Sequence, residues 1–254
     1  MLSATERTVL YAALLLTTAA AWSVTWVQSS DLPASSPFLA RALCGGVWTT
    51  AGAVSSVLMW ISMMIAMMLP ATVPVVDAYA TIARRRRARR EPYTPTFVFV
   101  GGYVLVWSCF SAAAAIIQWQ LYRAALLTPT TQNASPMLAG TALLVAGLYQ
   151  FTPLKAACMH GCRSPLNFIM AEWREGYAGA LLMGVRHGVF CVGCCWAVMS
   201  LMFCVSVMDL RWAAALAVYA AIEKTAPGGD TVIAPAFGSA AILGGAALLG
   251  LTLL

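Results

Sequence analysis

Charge is scarce in this chain. Of its 254 residues only 9% are Asp, Glu, Lys or Arg while 61% are hydrophobic, and the mean hydropathy is +0.80. That is too little polar surface for a soluble domain of this size, so the composition implies an integral membrane protein. Strict alternation is missing too. Runs such as ALLLTTAAAW and ILGGAALLGLTLL are continuous, whereas a membrane barrel is built from alternating segments of about ten residues, so helices are expected and a barrel is not. The phosphate-binding, nucleophile-elbow, zinc-protease and dinucleotide signatures are all absent. Nucleotide hydrolysis and the common hydrolase chemistries therefore have no support. Histidine is scarce, with two residues in the whole chain.

The apolar segments predict an all-α, polytopic bundle of about seven spans, or six, near residues 8–27, 51–80, 96–122, 137–155, 178–208, 210–223 and 233–254. Each span consumes about 20 residues, so one membrane domain over residues 1–254 is the natural size. The first stretch has the look of a signal peptide, but its flanks fit a retained span better. Connectors are marked by DLPASSP, RRRRARREPYTP, LTPTTQNASP and EKTAPGGD.

An inside N-terminus puts Arg7, the six arginines of residues 84–90, Lys155, Arg163, Arg174, Arg186 and Lys224 on the cytoplasmic side, twelve of the fifteen basic residues. The orientation expected is thus a multi-pass protein of a bacterial inner membrane with its N-terminus in the cytoplasm. Residues 84–92 read as a basic cytoplasmic loop touching lipid headgroups, not as a nucleic-acid site. Lys155 and Lys224 read as side chains snorkelling to the interface. Asp77 and Glu223 fit that explanation less well and are left as hard ligands, proton acceptors or counter-ions to Arg186.

Three clusters could carry chemistry. The segment HGVFCVGCC places His187, Cys191 and Cys195 on an i, i+4, i+8 ladder with Cys194 close by, about 5–10 Å below the cytoplasmic surface. Cys194 and Cys195 are adjacent and point about 100° apart, so the ladder does not predict that both bind one ion. Gly184 and Gly188 form a small-residue step that lets another helix approach beside His187. The second cluster is MWISMMIAMMLP, with Met59, Met63, Met64, Met67 and Met68 within ten residues. Thioethers suit Cu(I), although methionine is also ordinary core filling. Pro70 and Pro74 should break the helix just beyond. The third is CMHGC, where Cys158, His160 and Cys162 sit at the end of the fourth span with a donor set that fits Cu(I) or Zn(II). Met199, Met202 and Met208 either extend a sulfur path or pack the core.

The ordered blocks WISMMIAMMLP, YQFTPLKAACMHGCRSP, GVRHGVFCVGCCWAVM and AIEK resemble a bacterial family of predicted metal-binding integral membrane proteins, over residues 50–254. What the resemblance implies is a polytopic helical protein with metal binding; it supplies no reaction. The candidate metal ligands are then Met63, Met64, Met67, Met68, Cys158, His160, Cys162, His187, Cys191, Cys194 and Glu223. Copper as Cu(I) is the expected metal, with zinc the alternative, and the expected partners are the lipid bilayer and a membrane enzyme or metal chaperone that exchanges the ion. Two other functions stay open: a thiol–disulfide redox protein using Cys191/Cys194 and Cys158/Cys162, and a metal-dependent membrane oxidoreductase.

Overall fold

The computed structural model describes residues 4–30, 50–127, 134–204 and 209–253, and among them it is helical with no strand. Ten α-helices follow in order: α1 (Ala4–Ser30), α2 (Thr50–Met68), α3 (Val73–Ala88), α4 (Thr96–Arg123), α5 (Pro136–Tyr149), α6 (Pro153–Arg163), α7 (Pro165–Glu172), α8 (Gly176–Ser200), α9 (Leu210–Thr225) and α10 (Ala234–Leu253). DLPASSP, Cys44 and Met208 lie outside the described residues.

Proline and capping residues set the boundaries. Helix α2 stops at Met68, a single tight turn occupies Pro70–Thr72, and α3 starts with Pro74 in its first turn, giving a 42° bend. This is the break expected where proline removes a backbone donor. Helices α5 and α6 meet at 67° across Gln150–Thr152, where Thr152 caps α6 by accepting from the Lys155 amide at 3.3 Å. Ser135 and Asp209 cap α5 and α9 in the same way.

Among the described residues four helices are long and apolar enough to cross a membrane alone, and up to six spans result if each bent pair counts as one. The about-seven expectation counted residues 210–223 as a short span. That stretch is helix α9, whose sixteen residues fall short of the length a crossing needs. The basic run expected as a loop is helical through Ala88, so Arg84–Arg87 project from the last turns of α3.

Helix α8 is the centre of the bundle. Its packing with α4 is made by glycine: a Cβ on Gly184 would run into the Phe99 carbonyl, and one on Gly188 would sit 2.8 Å from the Val106 Cβ. The small-residue step read in the sequence thus joins α8 to α4. Gly184→Ala should cost about 1–3 kcal/mol, because backbone rather than a flexible side chain must yield. Gly101→Ala, whose Cβ meets nothing within 4 Å, should instead be neutral or stabilise by up to about 1 kcal/mol through helix propensity. Thermal unfolding of the two variants in detergent checks both.

Two buried cores flank α8. One holds Leu14, Val76, Tyr79, Phe99, Phe168 and Met183 around its first half. The other surrounds its second half and contains the methionines of α2 and the cysteines of α6 and α8. The polar ends of α1, α3 and α8 gather together through Arg7–Asp77 (3.2 Å), Arg84–Glu6 (2.8 Å) and the pair Arg86–Glu175.

Candidate functional site

Sulfur collects where α2, α6, α8 and α9 meet. Cys191, Cys194 and Cys195 of α8 are at most 1% exposed, Met68 of α2 is 0% exposed and Cys162 of α6 is 9%. The Cys195 thiol lies 3.8 Å from the Met68 sulfur, and the Cys194 thiol lies 3.8 Å from that of Cys162. Cys194 and Cys195 both donate to the Cys191 carbonyl, at 3.1 and 2.8 Å, which fixes their different directions from one turn of helix. Adjacent residues do point apart, as expected, but each finds a different sulfur partner, so both belong to the cluster.

A lysine ammonium sits among these sulfurs. Lys224 Nζ, from the last turn of α9, donates to Cys191 Sγ at 3.0 Å and lies 3.8 Å from both Cys195 Sγ and Met68 Sδ. Tyr103 of α4 completes the pocket. Its hydroxyl donates to the Met68 carbonyl at 3.1 Å and is 3.2 Å from Cys191 Sγ. Lys155 pairs with Glu223, the residue before Lys224, at 2.7 Å with both side chains 3% exposed or less, and Lys155 also donates to the Cys194 carbonyl at 3.2 Å. The Tyr219 hydroxyl donates to the same Glu223 oxygen at 3.0 Å.

This overturns the snorkelling reading of Lys155 and Lys224. Neither reaches an interface, because each finds its acceptors inside: a carboxylate and a carbonyl for Lys155, sulfur for Lys224. Nor is Arg186 the counter-ion of Asp77 or Glu223. Arg186 pairs with Glu172, Asp77 with Arg7, and Glu223 with Lys155.

The other expected ligands are spread around this cluster. Met63, Met64 and Met67 are buried in the same core, and Met68 is the methionine of that stripe placed against the thiols. Cys158 is half-buried at the edge of α6, facing Gly193, where a side chain would press on its sulfur. His160 is on the exposed side of α6. His187 is buried in an aromatic box of Phe99, Tyr103 and Phe168, with ring centroids 5.2–6.2 Å away. Its Nδ1 has no hydrogen-bond partner among the described residues. Glu223 is brought to the site, with one carboxylate oxygen committed to Lys155 and Tyr219 and the other, Oε2, unpartnered. Met199 and Met202 are core residues.

Among the described residues no three Cys, His, Asp or Glu side chains converge on one metal position. The convergence is of a different kind: thiol with thioether. A metal–sulfur bond of about 2.3 Å places two ligands of a trigonal or tetrahedral site roughly 3.8–4.0 Å apart. The Cys195–Met68 and Cys194–Cys162 separations fall at that value. With thioether among the donors the set is soft.

The sequence could have revealed Lys224. Its two lysines are Lys155 and Lys224, leaving thirteen of fifteen basic positions to arginine, and both lysines are buried. Met159 was missed for a plainer reason: it lies between Cys158 and His160 in the motif, yet it is Met159 that α6 turns into the core.

Residues 57–248, about three quarters of the chain, match a family model described as PpoB2: Copper chaperone. No curated protein and no solved structure matches the chain.

Proposed function

We propose that this chain, which belongs to the copper chaperone family, is an integral membrane protein that receives Cu(I) in the sulfur core and passes it on to a partner. The observation that carries this is the 3.8 Å approach of Cys195 and Met68 from two helices, a sulfur–sulfur spacing suited to one soft ion, with Cys191 reached by the same Lys224 ammonium. The Cys162–Cys194 pair lies beside it, and half-buried Cys158 stands at the outer edge of α6. Those sulfurs form a graded path between surface and core. A chaperone needs such a path, because it must release the ion as readily as it takes it.

The polar end shared by α1, α3 and α8 carries the arginine cluster and supports a cytoplasmic placement of that end in a bacterial inner membrane. Cys191 is sixteenth in helix α8, about 22 Å along it. The sulfur core therefore sits past the middle of that helix.

Cu(I) titration of purified protein against a competing Cu(I) chelator tests the proposal, with Met68→Leu and Cys195→Ser alongside. Affinity should drop at least tenfold in each, and unchanged affinity in both would sink the reading. His160→Gln should leave the affinity within about twofold, since that imidazole points away from the sulfurs.

One observation favours a second reading. Cys162 and Cys194 lie 3.8 Å apart on different helices, and a modest approach would bring them to the disulfide distance of about 2.05 Å. A redox function would use this pair across α6 and α8 rather than two pairs each within one helix. Thiol trapping under changing redox poise reads it out, and reactive thiols that do not change in number support metal instead.

A further inference from the structure

The Lys224 ammonium has no place in a simple sulfur site, and its position is informative. One nitrogen lies within 3.8 Å of three sulfurs contributed by two other helices. Two of those sulfurs are themselves 3.8 Å apart. An ion bonded to both at about 2.3 Å on the face turned toward Lys224 would lie only about 2 Å from Nζ, so on that face the two cations exclude one another.

Lysine suits a position that must be vacated. Its charge is compact, its three donors rotate, and its four-carbon stem is flexible, whereas arginine is a rigid planar fork. This chain uses arginine at every other basic position except Lys155. Lys155 differs in kind, because it is held by a buried carboxylate at 2.7 Å. Lys224 is held by sulfur and, among the described residues, by no carboxylate, and sulfur is a weak hydrogen-bond acceptor, so its contacts are easily given up.

We propose that Lys224 is a displaceable internal cation: its ammonium holds the copper position in the empty protein, Cu(I) binding drives it out, and its return accompanies release. This rests on the sulfur core being the copper site. The exchange replaces the N–H···S contacts of Lys224 with copper bonds to two thiolates and one thioether. The thiol protons lost on binding pass to solvent, copper stays Cu(I), and no electron moves.

Having two lysines makes the test direct. Protein labelled with 15N at lysine Nζ should give two ammonium resonances, assigned by the loss of one in Lys224→Met or, should that variant not fold, in Lys155→Arg. Adding one equivalent of Cu(I) should move the Lys224 resonance and leave that of Lys155 in place. In a folded Lys224→Met protein, copper transfer to excess chelator should slow at least tenfold, since nothing returns to displace the ion. Bound copper with an unmoved Lys224 resonance overturns the displacement alone. Faster release from Lys224→Met also overturns it, because Lys224 would then be a fixed partner of the loaded thiolates. Wild-type protein that binds no Cu(I) overturns the copper site itself, and metal analysis of the same sample separates that result from the others.

Discussion

Cys191→Ser should abolish stoichiometric Cu(I) binding, with a loss of affinity exceeding about 100-fold. Outer-shell partners of a metal are commonly worth 10–100-fold, and a ligand in the middle of the cluster should exceed that. Cys191 is where the site converges: its sulfur receives the Lys224 ammonium at 3.0 Å and contacts the Tyr103 hydroxyl at 3.2 Å, and its carbonyl orients Cys194 and Cys195. Serine preserves the carbonyl and the helix, so the fold should survive while the soft donor is lost. Chelator competition gives the affinity and thermal unfolding confirms the fold. Serine binding copper as tightly as cysteine would mean that the ion is held elsewhere.

The largest effect on stability should come from Glu223→Gln. The Lys155–Glu223 pair is wholly inside the bundle. Removing one member of a buried ion pair leaves an uncompensated charge and costs about 3–5 kcal/mol, whereas replacing both by apolar groups of similar volume is often close to neutral. Lys155→Met with Glu223→Leu should therefore recover most of what Glu223→Gln loses. Unfolding in detergent measures the three proteins. A Glu223→Gln protein within about 1 kcal/mol of wild type would show that the pair is not what joins α6 to α9. Because Lys155 also donates to the Cys194 carbonyl, the double variant additionally reports whether the pair positions the thiol cluster, through its Cu(I) affinity.

Much of this was legible in the amino-acid sequence. Continuous apolar runs gave the all-helical fold, Pro70 and Pro74 gave the break after the methionine stripe, and Gly184 with Gly188 gave the close contact now seen against α4. The clustering of Cys162, Cys191, Cys194 and Met68 was legible as three motifs, because helical spacing shows which residues share a face of one helix. Spacing does not show which faces of different helices meet. His187 shares a ladder with Cys191 in the sequence, and in the fold the rings of Phe99, Tyr103 and Phe168 enclose it. His160 shares a motif with Cys158 and Cys162, and α6 turns Met159 and Cys162 inward and leaves the imidazole outside.

The lysines failed for a different reason. A cation near the end of an apolar segment normally reaches for water, and that rule places Lys155 and Lys224 at an interface. The rule gives way where the interior supplies acceptors, here Glu223 for one and the sulfurs of Cys191, Cys195 and Met68 for the other. The surplus of arginine over lysine was the signal available in the sequence.

X-ray absorption of the Cu(I)-loaded protein tests the sulfur core most directly. A first shell of sulfur alone at about 2.3 Å, lost in Cys191→Ser, is the predicted result. A shell containing imidazole nitrogen or carboxylate oxygen would contradict it, because His160, His187 or Glu223 would then hold the ion in place of Met68, Cys191 and Cys195.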